Sequence, residues 1–484
     1  MPSADSELTR DELLALLRAK DEHIALIQQR LEELEGLVVA LTARLGRDSS
    51  NSSRPPSSDS PFVKKPAAKR SVRAKSGKRP GRQPGSGGTT LRLVDDPDET
   101  VTEVASECGR CGDDLRDAPV FEVQRRQVVD VPPLAPKPYV TEYRICSVAC
   151  PRCAAVTEPA VPGVASGRVQ YGPRVKARAA WLVCGHFLPV RRAASTLNAL
   201  LGFSASTGFL ASVRAQAARL LETGFLPAVR ELIASAPVAH ADETTARAAG
   251  ALTYLHVACT DYLTAMHVGD RSARTIDAGG IWPEFRGVLV RDGYSGYAHL
   301  EKIEHAWCGI HLIRDLRAVN DPDPAGQSWA AMMVNTLLIA NRLAHRARAH
   351  GRDRLSDGDL GWIKGLYHGA LATGRTENDV GRDPLHEQAR TLMRRFARHE
   401  AMILRFALDL AVPFTNNTAE LPARAVKVQQ RTSGGCWRTL QGLIDFAVVQ
   451  SYLSTATKWG KNTLDVLEQL FTTGPWIPGS LTPA

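Results

Sequence analysis

The chain has 484 residues, of which 44% are hydrophobic, and 60 Lys and Arg against 51 Asp and Glu give a formal charge of +9. That is about three domains' length at roughly 150 residues each, with enough apolar content for real cores. No run of 18 uncharged apolar residues occurs and the acidic opening MPSADSELTRDELLALL is unlike a secretory signal, so neither a membrane partner nor export is expected and the expected location is cytoplasmic.

Residues 1–47 carry a seven-residue repeat. Leu17, Ile24, Leu31, Val38 and Leu45 form one column, and Leu13, Ile27, Leu34 and Leu41 the other, with Lys20 interrupting it. So narrow an apolar stripe buries itself only against another helix, which predicts a coiled-coil zipper and a homodimer or higher oligomer.

Residues 48–92 are rich in Ser, Pro and Gly and read as a flexible linker. Between Pro61 and Val94 stand ten bases and no acid: Lys64, Lys65, Lys69, Arg70, Arg73, Lys75, Lys78, Arg79, Arg82 and Arg92. Without them the chain is almost neutral. A cationic arm of this kind suits a polyanion such as double-stranded DNA, with binding that weakens steeply as salt displaces each phosphate contact.

In 93–165, Cys108-Gly-Arg-Cys111 and Cys150-Pro-Arg-Cys153 are two C-x2-C knuckles. Four thiolates satisfy one tetrahedral Zn2+ and leave no open position, so a structural zinc ribbon is expected, with FEVQRRQVVDV and YVTEYRIC as its strands and Cys146 as an alternative ligand. Nine cysteines in all are too sparse for a disulfide framework.

Residues 166–230 read as helices broken at Gly202, with Ser204 or Ser206 capping the next helix and Arg191 and Arg192 exposed. This is helix-turn-helix spacing, suited to DNA. Cys184 and His186 read as core residues.

From 231 the pattern turns to strands, and 231–325 is read as the first part of a catalytic domain. VAHAD is a strand ending at Asp242-Glu243, two further strands lie around Thr260-Asp261, and GVLVRDGYSGY delivers Asp292 at the end of a fourth. Residues 326–412 are helical in pattern. In 413–484, Asn416, Asn417 or Thr418 can cap a helix with Glu420 in its first turn. Three converging carboxylates repel one another unless a cation or protons neutralise them; Mg2+, or Mn2+, is the hard divalent answer and the one phosphodiester chemistry needs.

These segments resemble transposases of the insertion-sequence sixty-six family, bacterial DDE enzymes. The resemblance covers nearly the whole chain: NSSRPPSSD, GRQPGSGGTTL, the knuckles, YGP with LPVRR, ADET, RDGYSGY, HAWCGIHLIRDL, and NNTAE with its trailing Arg and SGG. It implies an RNase H-like α/β domain interrupted by a helical insertion, within a multidomain α+β chain, with Asp242, Asp292 and Glu420 as the carboxylate triad. It also implies cleavage and strand transfer at element ends, with accessory proteins encoded beside the gene. Cys308 and His311 fall where several such transposases carry a C-x2-H element, and His305 alone does not complete a second metal site there. The family usually has Arg directly after the Glu; this chain has Leu421 and Pro422, so Arg424, Lys427 and Arg431 are the bases expected to meet phosphate. The alternatives are a catalytically silent DNA-binding regulator and another RNase H-like nuclease.

Overall fold

The computed structural model describes residues 93–120, 125–129, 138–160, 169–202, 204–381 and 383–483, together with helical positions 10, 20, 21, 24–31, 34 and 38. The linker 48–92 and its basic residues lie outside the described residues, as do Leu13, Leu17, Leu41 and Leu45 of the heptad columns. Ile24, Ile27, Leu31, Leu34 and Val38 are helical and exposed.

Two compact units are present, one within 67–137 and the other within 1–66 and 138–484. In the first, the Gln127 side chain brackets the Val94 backbone, accepting its N–H at 2.8 Å and donating to its carbonyl at 2.7 Å. Of the ribbon strands expected from alternation, the described residues 125–129 and 139–146 carry no strand pairing, and Tyr139 and Val140 are exposed. Alternation favours extended backbone, but a strand needs a neighbour to take its N–H and C=O groups. Among the described residues pairing instead flanks each knuckle: a single antiparallel bridge of Glu107 with Asp114 about the first, and Val148–Ala149 with Val156–Thr157, in the larger unit, about the second.

The larger unit is α+β, built on a mixed five-stranded sheet: β1 (Val238–Ala248), β2 (Ala251–Cys259), β3 (Thr264–Gly269), β4 (Val288–Arg291) and β5 (Glu304–Trp307). Their order is β3-β2-β1-β4-β5; β1, β2 and β3 are antiparallel neighbours, whereas β4 and β5 run parallel to β1. β1 does not end at Asp242-Glu243 as the sequence suggested. It continues to Ala248 because Ala249 and Gly250, both at positive φ (51° and 82°), supply a two-residue hairpin turn of the kind that matches strand twist.

One face of the sheet is covered by α3 (Thr207–Ala234), which follows α1 (Pro173–Ala180) and α2 (Val190–Leu201), and by α10 (Leu440–Lys458). Leu210, Val213, Ala217, Leu221, Phe225, Val229 and Ile233 recur at three- and four-residue steps along α3 and are buried. The helix pair expected at 166–230 is there, with Gly202 left-handed at the end of α2 and Ser206 capping α3 at 3.1 Å. Its residues share one core with the sheet, and α3 runs past 230. Cys184 is buried, but His186 is exposed and lies edge-on to Trp181 at 4.0 Å, correcting its reading as a core residue. At edge strand β3, Ser451 and Thr455 of α10 accept the N–H groups of Met266 and Thr264, so that edge offers fewer groups to another chain.

The helical segment read at 326–412 forms α6 (Ser328–Ala349), α7 (Asp357–Glu377), α8 (Pro384–Arg398) and two single turns. With α5 (Gly309–Asn320), the next helix after the short α4 (Ala273–Ala278), they bury a second core against Val288, Val290, Ala306 and Trp307. α9 (Asn417–Thr432) lies on β1 and β2, and α11 (Thr463–Thr472) follows α10. No helix among the described residues is long and apolar enough to cross a membrane.

Pro422 lies inside α9 and has no N–H for the Thr418 carbonyl one turn back. The Cys259 thiol donates to that carbonyl instead, at 3.3 Å, and burial pushes the thiol up to about 11, so it keeps its proton. Cys259→Ala therefore is expected to destabilise the fold by about 1–3 kcal/mol in chemical denaturation, while Cys259→Ser, which retains a donor, loses less. Equal losses for the two would remove this bond from the account.

Candidate active site

Asp242 and Asp292 come together through strand register. His240 of β1 pairs with Val290 of β4 in a parallel ladder; Asp242 lies two residues further along β1, and Asp292 directly follows Arg291, the last residue of β4, near enough for its charge to act on Asp242. Glu420 belongs to α9, whose start is fastened to the same strand. Asn416 accepts from His240 Nδ1 at 3.0 Å and donates to the Ala241 carbonyl at 2.7 Å, and its own N–H reaches Cys308 Sγ at 3.3 Å.

Gly309 closes the junction by donating to the Phe414 carbonyl at 2.8 Å; a Cβ there would stand 2.1 Å from the Phe414 ring. Only glycine lets the two backbones approach this closely. The segment that aims Glu420 is therefore held by three buried side chains and one glycine.

Burial pushes the Asp242 carboxyl well above the ordinary carboxylate range, and the charges of Glu243, Asp292 and Glu420 push it further, with His311 opposing them. For His311 burial works to lower its affinity for protons, but the Cys308 sulfur and the Asp292 and Glu420 carboxylates outweigh it and bring it up to about 9. A cluster of three acids with one cationic imidazole keeps an excess of negative charge in a part-buried place. Oxygen donors under such repulsion suit a hard divalent cation, and the three acids do not all come within 4.8 Å of one another, a spacing met among the described residues by Cys308, His311 and Glu420.

Sequence reasoning missed the scaffold around these acids. Glu243, on the opposite face of β1 from Asp242, has a side chain only 3% exposed and is paired with Arg271, whose Nε lies 2.9 Å from it; the Tyr297 hydroxyl adds a bond at 3.3 Å. Burial and Asp292 raise Glu243 to about 7 despite Arg271. The Arg271 guanidinium lies 3.6 Å over the Tyr294 ring, whose hydroxyl returns a bond to the Arg271 carbonyl. Arg291 donates to the Asp292 and Tyr294 carbonyls, and the Tyr294 N–H caps Asp292 at 2.8 Å. His305, weighed as a metal ligand in the sequence, is engaged otherwise: Nδ1 accepts from Arg291 and Nε2 donates to Leu300. Both tyrosines and Arg291 stand in RDGYSGY, so the signal was the motif itself.

Among the expected DNA contacts, Arg191, Arg192, Arg424 and Arg431 are exposed, and Arg424 Nη2 lies 3.7 Å from Glu420 Oε2, one helical turn beyond it. Lys427 is not exposed as expected. Its ammonium is bonded to the Thr245 carbonyl and hydroxyl on β1, and burial lowers it to about 8.

The two cysteine knuckles have the same local turn. In each, the first Cys carbonyl accepts the N–H four residues on at 2.8 Å, and its N–H donates five residues on at 2.8 Å. Gly112 and Ala154 take the left-handed position that closes each turn (φ 77° and 56°). Backbone N–H groups lower the Cys108 and Cys150 thiols, those of Arg110 and Arg152 first and then those of Cys111 and Cys153. Donors aimed at sulfur in this way favour the thiolate a metal requires. Cys146 is exposed and lies outside the turn.

Residues 168–443, which contain the whole sheet, all three acids and the helices between them, match the family described as Transposase IS66 family. The chain belongs to that family. Residues 2–92 match a second, a family of unknown function (DUF6444). No curated protein matches the chain. As an IS66-family transposase the chain is a DNA-processing enzyme, and its matched region begins just before α1 and ends within the first turn of α10.

Proposed function

We propose that this transposase is a DDE enzyme, which binds the ends of its element and cuts and joins DNA at Asp242, Asp292 and Glu420. The observation that supports the reading is the parallel register of β1 and β4, with Asp242 on the one and Asp292 directly after the other, together with the burial and neighbouring charges that disfavour the charged form of Asp242. The strand order β3-β2-β1-β4-β5 supports an RNase H-like domain, and 326–412 its helical insertion. Held by these acids, Mg2+ or Mn2+ would activate the attacking oxygen and stabilise the leaving one. The chain's own part is placement. Asp242 stands on β1 and Asp292 directly after β4, Glu420 on a helix fastened through Asn416, and exposed Arg424 and Arg431 offer charge to phosphate on the same helix.

DNA is held by more than this centre. We assign the basic arm, with Lys64, Lys65, Lys69, Arg70, Arg73, Lys75, Lys78 and Arg79, to phosphate contacts, and α2 with Arg191 and Arg192 to the helix-turn-helix role. The heptads join two or more copies, and accessory proteins of the element are further partners. A labelled duplex carrying an element end tests the reading: Mg2+-dependent nicking that frees a 3′ hydroxyl supports it. A chain that binds the duplex but never nicks it, in Mg2+ or Mn2+, is the silent regulator instead.

Cys108 and Cys111 of one knuckle and Cys150 and Cys153 of the other are proposed as thiolate ligands of structural Zn2+. Cys108→Ser is expected to remove one equivalent of zinc per chain, measured by elemental analysis, and to lower stability without touching the carboxylates. Unchanged zinc content would end that assignment.

A further inference from the structure

In the Cys308-Gly309-Ile310-His311 motif, Cys308 bonds Asn416, Gly309 meets Phe414 and His311 opposes the charge of the acids. Its heteroatoms also meet a carboxylate. Cys308 Sγ, a ring nitrogen of His311 and an oxygen of Glu420 all lie within 4.8 Å of one another, a grouping found nowhere else among the described residues. His311 Nδ1 stands 4.0 Å from Glu420 Oε1. That nitrogen is buried and has no hydrogen-bond partner.

A purely structural role accounts for Cys308, whose sulfur accepts the Asn416 N–H, but it leaves the His311 nitrogen unexplained. A buried polar atom without a partner costs about 1–3 kcal/mol. A cation between the three atoms answers both observations. Typical zinc bonds of about 2.3 Å to sulfur and 2.0–2.2 Å to nitrogen and oxygen put tetrahedral donors roughly 3.3–3.8 Å apart, so the present trio closes on an ion by shifts under about 1 Å. Once an ion displaces the protons of Cys308 and His311, one thiolate, one carboxylate and one imidazole balance its divalent charge, and the Asn416 N–H fixes the direction of the sulfur.

We propose that Cys308, His311 and Glu420 form a site for a thiophilic divalent cation of the zinc class, which shares Glu420 with the carboxylate centre. The ligand set stands on its own geometry; its participation in the reaction rests on the proposed reading of Asp242, Asp292 and Glu420. Three protein ligands leave one coordination position open, the arrangement of a reactive site and not of a closed structural one. The soft sulfur selects against Mg2+ here, so the two halves of the centre differ in the metal they prefer.

The test uses the full chain loaded with Co2+, comparing wild type, Cys308→Ser, His311→Gln and Cys108→Ser. Cys308→Ser is expected to lose one equivalent of Co2+ and part of the near-ultraviolet thiolate-to-cobalt absorption, and Cys108→Ser to keep that part. His311→Gln is expected to weaken Zn2+ at this site by more than the roughly 10–100-fold that losing an outer hydrogen-bond partner costs. If Cys308→Ser does not fold, His311→Gln decides. Folded variants with the metal content, affinity and spectrum of wild type overturn the proposal. Asp242→Asn separates the two readings: nicking that survives it sinks the carboxylate centre while the cobalt result stands, and nicking lost with every metal retained in Cys308→Ser does the reverse.

Discussion

Asp242→Asn is expected to abolish DNA cleavage and strand transfer, by about a thousandfold or more, and at the same time to stabilise the protein when no divalent cation is present. The two effects have one cause. Asp242 is crowded by Glu243, Asp292 and Glu420 in a place where burial already disfavours its charge. An amide of the same shape carries no charge, so the repulsion goes and with it the oxygen donor.

The pH dependence follows with a definite sign. Glu243 is raised from 4.5 to about 7, and His311 from 6.5 to about 9. Both hold protons in the folded state that the unfolded chain releases. Their contribution to stability is fully present below the ordinary values and is lost as pH rises through about 7 and then about 9, and the raised Asp242 acts in the same direction. In wild type without metal, these groups should make the melting temperature fall between pH 4.5 and 9, and Mg2+ should flatten that fall by replacing protons. Asp242→Asn should melt higher than wild type in chelator and gain less from Mg2+. A variant that keeps its cleavage, or one that melts lower in chelator, contradicts the assignment.

What the sequence disclosed and what it hid divide along a physical line. Asp292 was legible because the short strand Val288–Arg291, apolar up to its last residue, is followed at once by Asp-Gly, a strand and then a turn. Glu420 could be placed in a first helical turn, where α9 holds it, but a Glu there is ordinary and the resemblance singled it out. β5 was overlooked: Glu304–Trp307 is four residues long and joins α5 at once, too short for a period to show. β1 was cut short because its turn is Ala-Gly and not the Asn-Gly or Asp-Gly that announces a hairpin. The merging of α3 with the sheet could not be read either, because an apolar helix face says that it is buried but not against what. Likewise the Cys259 thiol answers the Pro422 gap from 159 residues away in sequence from Thr418, and no local pattern links them.

The largest stability effect near the site is expected from Arg271→Ala. Glu243 is almost wholly buried, and Arg271 and the Tyr297 hydroxyl are the partners its side chain has. Removing one member of a buried ion pair costs about 3–5 kcal/mol when the other must stay charged. Here the cost is smaller, because the Arg271 side chain is 39% exposed and Glu243, already at about 7, can take a proton in place of its partner. About 2 kcal/mol is expected at pH 8. At pH 5 Glu243 is mostly protonated with or without Arg271, so the loss shrinks toward the packing of guanidinium on the Tyr294 ring, about 0.5–1 kcal/mol at an exposed site. Denaturation of both proteins at the two pH values reads this directly. Adding Glu243→Gln should restore most of the pH 8 loss, since an amide needs no counter-charge, making the pair non-additive by 1 kcal/mol or more, in order of magnitude. A loss equal at pH 5 and pH 8, or a double variant whose effects simply add, would mean that Arg271 acts by covering Tyr294 and that the charge on Glu243 is held by something else.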